Sequence, residues 1–147
     1  VQWTVGYIRI AKAEKEYCNY IFDSEILAKI VTMVLFIAVP TTIKRPVIDN
    51  RNIFSVMVQS IYVMDAPTNL LPSIHCLESW ICFRGTFCHK NFSGGYKAGM
   101  FLMTILVFMS TVLIKQHVII DIVGAIVVAE ISFVTVRKIK GIRIRDR

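Results

Sequence analysis

The stretch AGMFLMTILVFMSTVLIKQHVIIDIVGAIVVAEISFVTV, residues 98–136, decides the fold. It holds two apolar runs, Ala98 to Ile114 and Val118 to Val136, interrupted only by Lys115-Gln116-His117. Both runs are far longer than a strand. At ~1.5 Å per helical residue each extends over ~25–30 Å, close to the thickness of a bilayer's hydrocarbon core. Helices joined by three residues must run antiparallel.

The rest of the chain agrees with this reading. Of its 147 residues 55% are hydrophobic and 18% charged, with a mean hydropathy of +0.60, too apolar for an ordinary soluble domain and the opposite of a disordered chain. The formal charge is +7. A basic balance alone would suit nucleic acid, but the long apolar runs between basic clusters point to a bilayer instead. Cys18, Cys76, Cys82 and Cys88 are too sparse for a disulfide scaffold and lack metal-site spacing, so they read as small helix residues. Val1 to Ile10 is too short for a signal-peptide core and reads as the end of a helix begun upstream. The chain is therefore expected to be a fragment of a longer membrane protein, forming one domain over residues 1–147.

Further out, Asp23-Ser24-Glu25 offers an N-cap and acidic first turn for an apolar stretch from Ile26 to Ile43, with Pro40 near its end. Thr41 to Leu71 is a polar connection holding a short apolar piece, Ile53 to Met64, expected to lie at the interface. Leu70 to Cys88 carries His75, Glu78 and Arg84, which a span tolerates only when they face a protein-lined cavity. Pro72 suits a first helical position. The expectation is an all-α integral membrane bundle with spans near 26–43, 71–88, 98–114 and 118–136, part of a six-helix core.

Lys and Arg sort by side. Twelve, among them Arg9, Lys12, Lys15, Arg84, Lys90, Lys97 and the six of the basic tail Arg137–Arg147, fall on one side; Lys44, Arg45, Arg51 and Lys115 fall on the other, with Lys29 inside a span. The positive-inside rule makes the richer side, and with it the C-terminus, cytoplasmic. The four remaining cations share the outer face with His75 and His117. A cationic group on the side that should be poor in cations suggests a bound anion.

Three separated segments supply that outer boundary: Lys44-Arg45-Pro46, Pro72-Ser73-Ile74-His75, and Ser110 with His117 and Asp121. His117 and Asp121 stand at i and i+4, on one helix face, so the carboxylate can accept from one ring nitrogen and leave the other for attack. His75 follows Pro-Ser at a helix start, where free backbone N–H groups favour an anion. Arg45 can grip phosphate bidentately. Glu78, one turn past His75, either bonds that imidazole or pairs with Arg84 or a neighbouring helix.

These residues resemble the type 2 phosphatidic acid phosphatase superfamily, which also holds glucose-6-phosphatase and lipid phosphotransferases. Its three motifs are K-x6-R-P, P-S-G-H and S-R-x5-H-x3-D. Arg45-Pro46 matches the end of the first, Pro72-Ser73-Ile74-His75 the second apart from Gly, and Ser110-Thr111-x5-His117-x3-Asp121 the third apart from Arg. The likeness covers roughly residues 26–136. The first-motif Lys falls on Ala38 and the third-motif Arg on Thr111, with Lys44 and Lys115 near enough in sequence to substitute. A second motif without Gly and a third without Arg also mark the branch that resembles inositol phosphorylceramide and sphingomyelin synthases.

The resemblance implies a plasma-membrane enzyme with its site on the extracytoplasmic side and a lipid phosphate or isoprenoid pyrophosphate as substrate. His117 would be the nucleophile, Asp121 its orienting partner and His75 the proton donor to the leaving oxygen. Arg45, Ser73, Ser110, Lys44 and Lys115 would hold the phosphate oxygens. No metal, cofactor or nucleic acid is implied. Transfer to a second alcohol and a catalytically silent binding module are the alternatives. Both histidines must reach one phosphoryl group, which requires their rings to lie within about 10 Å.

Overall fold

The computed structural model describes residues 2–49, 52–64 and 67–141. They form six helices: α1 Gln2–Ala11, α2 Lys15–Ala38, α3 Ile53–Met64, α4 Ile74–Phe87, α5 Gly94–Leu113 and α6 Ile119–Lys140. Among the described residues there is no strand, only one isolated antiparallel bridge between Thr42 and Thr68. All-helical architecture follows the apolar patterning. Among the described residues two helices, α5 and α6, are long and apolar enough to cross a membrane, not the four expected.

α2 is long enough but keeps three charges, Asp23, Glu25 and Lys29, within its apolar half, and the other helix boundaries shift. The helix expected to begin at Asp23 starts at Lys15, because Tyr20, Ile21 and Ser24 are buried and packing carries the helix through the acidic cluster. It stops at Ala38 rather than Ile43, since the residue before Pro40 is pushed out of the helical region. α4 is only 14 residues long. It begins at Ile74, with Ser73 as N-cap and Pro72 outside the helix. α5 begins at Gly94, four residues early, with Ser93 accepting from the Tyr96 amide. α6 runs on through Lys140, so the basic tail starts as helix and ends at Gly141 in the left-handed conformation that closes helices. Residues 142–147 and Arg51 lie outside the described residues.

α4 is the axis. It packs against α1, α2, α5 and α6, so its buried side chains, among them Cys76, Leu77, Ile81 and Cys82, point all around it. The second long contact joins α2 to α6 through Ala28, Ala125, Ala129 and Phe133. α3 has no buried residue. It is tied on by the Tyr62 hydroxyl, which donates to the Ile114 carbonyl at 2.6 Å.

Polar groups inside the bundle are paired across helices. Glu78 meets Lys29 of α2 at 2.7 Å and accepts from Tyr7 of α1, so it neither bonds His75 nor pairs with Arg84. Arg84 instead grips Glu130 of α6 with Nε at 2.7 Å and Nη2 at 3.1 Å, and Trp80 donates to the same carboxylate. Such pairing is what allows charge inside an apolar bundle.

The fully buried Thr104 hydroxyl joins three helices. It accepts from Gln2 Nε2 of α1 at 2.7 Å and donates to the Met100 carbonyl at 2.9 Å, with the Ser79 carbonyl of α4 at 3.2 Å. Thr104→Val keeps the shape and removes the hydroxyl, stranding the Gln2 donor. It should cost about 1–3 kcal/mol, read as a lower thermal-unfolding midpoint in detergent micelles, whereas Thr104→Ser should keep most of the stability.

Candidate active site

The turn between α5 and α6 builds one half of the site. Lys115 takes the left-handed conformation at φ 52°, which folds the chain back so that the Gln116 and His117 amides both donate to the Thr111 carbonyl, at 3.0 and 3.1 Å. This delivers His117 to the mouth of α6. Asp121, in the first helical turn, folds its carboxylate back and accepts from the Val118 amide at 3.0 Å, capping the helix. The same oxygen, Oδ2, lies 3.2 Å from His117 Nδ1. A carboxylate can only accept, so Nδ1 carries the proton and Nε2 is the basic nitrogen. Both side chains are buried, at 7% and 2% exposure, so the pair is shielded from water.

The other half comes from α4. Asn69, also left-handed at φ 57°, turns the chain into Leu71-Pro72, and the Ser73 hydroxyl caps α4 by accepting from the Cys76 amide at 3.4 Å. The Ser73 amide donates to the Asp121 carbonyl at 3.2 Å, so the starts of α4 and α6 are joined through the main chain. Gly124 faces the same junction: a Cβ there would lie 2.8 Å from the end of the Leu71 side chain and 3.5 Å from the Pro72 ring. His75, half-buried in the first turn of α4, consequently faces His117 edge to face, ring centroids 6.3 Å apart.

The proposed residues do not all converge. Arg45 reaches the same end of the bundle but is engaged by Tyr62, donating to its carbonyl at 3.1 Å with the guanidinium 4.7 Å above its ring. Lys44 and Lys115 are exposed. The Ser73 hydroxyl is buried and used as a cap. Ser110 is exposed and donates to the Val107 carbonyl, because helical periodicity turns Thr104, Phe108 and Thr111 inward and leaves Ser110 outside. Thr111, where the resembling family has Arg, is buried, donates to the Phe108 carbonyl and lies 3.7 Å from Cys76 Sγ.

Trp3 belongs to the site and has no motif to announce it. Its indole stacks on the His75 ring at 5.8 Å with an interplanar angle of 4°, and its Nε1 donates to Ser79 at 2.9 Å, fixing the indole that forms one wall for the imidazole. The third histidine, His89, lies beyond the far end of α4 against Tyr17 and Phe92. Desolvation there holds its pKa below the ordinary value, so it is neutral at pH 7. Among the described residues no three His, Cys, Asp or Glu side chains gather to hold a metal ion. No family model, curated protein or solved structure matches the chain.

Proposed function

We propose that the chain is an integral membrane enzyme that removes a phosphoryl group from a lipid phosphate or isoprenoid pyrophosphate through a phosphohistidine. The observation that carries this reading is the His75–His117 pair, 6.3 Å between ring centroids, with Asp121 on Nδ1 of His117. A nucleophile oriented by a carboxylate, with a second imidazole within reach of the same group, is the arrangement that histidine phosphoryl transfer needs. Nε2 of His117 attacks phosphorus as the bond to the leaving oxygen breaks, and His75 gives that oxygen a proton. Water deprotonated by His75 then attacks the phosphohistidine, releasing phosphate and restoring both rings. Arg45, beside Tyr62 at the same end, is the cation proposed to meet the substrate's phosphate, with Lys44 and Lys115 as secondary contacts; Ser73 is spent on the two helix starts and Ser110 faces away.

The bilayer reading draws on the outward faces. Ile26, Ile30, Met33, Val34 and Ile37 of α2 are all more than half exposed, as are Ile119, Ile120 and Ile131 of α6. Apolar faces of this extent need a partner, and lipid supplies one. α5 and α6 are proposed to cross the plasma membrane, with α2 and α4 completing the bundle and α6 ending in the cytoplasm. The histidine pair then opens on the extracytoplasmic side.

The function is tested by phosphate release. Purified protein containing residues 1–147 should liberate phosphate from phosphatidate, diacylglycerol pyrophosphate or undecaprenyl pyrophosphate in mixed micelles, and the release should persist in excess EDTA. Loss of substrate without phosphate release, seen only when an acceptor alcohol is present, would identify a transferase. Inertness toward the whole panel in both formats would sink the proposal.

A further inference from the structure

Trp3 of α1 contacts two residues of α4 that share a face. His75 and Ser79 stand at i and i+4, one helical turn apart. The indole lies parallel to the His75 ring, 5.8 Å between centroids and 4° between planes, while its Nε1 donates to the Ser79 hydroxyl at 2.9 Å. Ser79 is fully buried, so water does not compete for that tether. α1 is itself held in register with the bundle. Gln2 donates to Thr104 of α5 and Tyr7 to Glu78 of α4, and Gly6 lies so close to α4 that a Cβ there would be 3.1 Å from Cys82 Sγ.

Aromatic stacks in helix bundles commonly do no more than fill space. This one differs in the ring it covers. His75 is half-buried in the first turn of α4, where an imidazole on two rotatable bonds has other staggered rotamers open to it. Trp3 covers one face of that imidazole, and His117 meets it at 6.3 Å with 74° between planes. A proton donor displaced by ~1 Å can cost ~10²-fold in rate, so what fixes this rotamer matters to the chemistry. We propose that Trp3 is a positioning residue for proton transfer: pinned by Ser79, the indole keeps the His75 imidazole facing His117, where its proton reaches the oxygen that leaves as His117 attacks. The proposal rests on the phosphoryl-transfer reading of the histidine pair. Trp3 acts through His75 alone, and Ser79 acts through Trp3.

The test compares two substrates of the full chain in mixed micelles, phosphatidate and a p-nitrophenyl phosphate ester whose leaving group needs little protonation. Trp3→Leu should slow phosphatidate turnover by ~10²-fold and leave the p-nitrophenyl ester nearly unaffected. Ser79→Ala and Trp3→Phe each remove the tether and keep an aromatic ring; each should cost phosphatidate turnover about 3–10-fold, and the two combined should cost no more than either alone. Equal losses toward both substrates in Trp3→Leu, or no loss toward phosphatidate, would overturn the proposal, as would full additivity of the two milder changes. The stack is read separately by NMR of ring-¹³C-labelled histidine, since the chain has only three histidines. The His75 signal, assigned by its loss in His75→Ala, should move in Trp3→Leu as the indole ring current disappears, with His89 at the far end of α4 unmoved; an unmoved His75 signal would also overturn the proposal. If His75→Ala itself shows no dependence on the leaving group, His75 is not the proton donor and the proposal falls with that reading, a failure told from loss of the stack because the signal still moves. Should Trp3→Leu not fold, the two milder variants carry the same comparison of substrates and the same NMR signal.

Discussion

Replacing His117 with alanine should leave no phosphorylated protein when the enzyme is quenched during turnover of a ³²P-labelled lipid phosphate. The unaltered protein should carry label that survives base and is lost in acid, the signature of a phosphorus–nitrogen bond. Turnover should fall by ~10⁴-fold or more, because the variant loses the atom proposed to bond to phosphorus rather than a stabilising contact. Label persisting at another residue in the alanine variant would remove His117 from its proposed role.

His75→Ala should behave differently. General acid catalysis contributes ~10²–10⁴-fold, and that factor should be lost toward a substrate whose leaving oxygen is a poor anion. A p-nitrophenyl phosphate ester, whose leaving group needs little protonation, should recover much of the difference in this variant and none in His117→Ala. Trp3 stacks on His75 and Asp121 bonds His117, so removing the His75 imidazole leaves a gap at one wall and the His117–Asp121 pair intact. Equal rescue of both variants would mean that the two rings have exchanged roles or that phosphoryl transfer through histidine is not the reaction.

The histidine pair was legible in sequence because two spacings carry it: His117 to Asp121 at one helical turn, and Ser73 to His75 at a helix start. Local periodicity was enough for these. The number of spans was overestimated because α4 closes after 14 residues and α2 keeps Asp23, Glu25 and Lys29 in its apolar half; the ion pairs of the bundle were not legible at all. Arg84 and Glu130 are 46 residues apart, and Lys29 and Glu78 lie on different helices; only folding reveals that they neutralise one another. The start of α2 was hidden for a related reason, since Tyr20 and Ile21 extend the helix by contacts that α4 and α6 provide. Ser110 and Ser73 stood in motif positions, yet the first faces out and the second is occupied with a helix end, distinctions that spacing does not encode. Trp3 reaches His75 by long-range assembly, and no window along the chain contains the two together.

The Ser73-to-Asp121 bond has a consequence for how such a protein can vary. It runs from one peptide group to another, so codon changes at those positions alter side chains without cutting the splice between the two helices. The separation of the two histidine rings is thus set by the main chain and not by side-chain identity at those positions. Substitutions at Ile74 or Thr111 leave that main-chain bond in place. A side chain at Gly124 would first meet the end of the Leu71 side chain, 2.8 Å away, which can swing aside, so even there the splice tolerates a small residue before a larger one reaches Pro72.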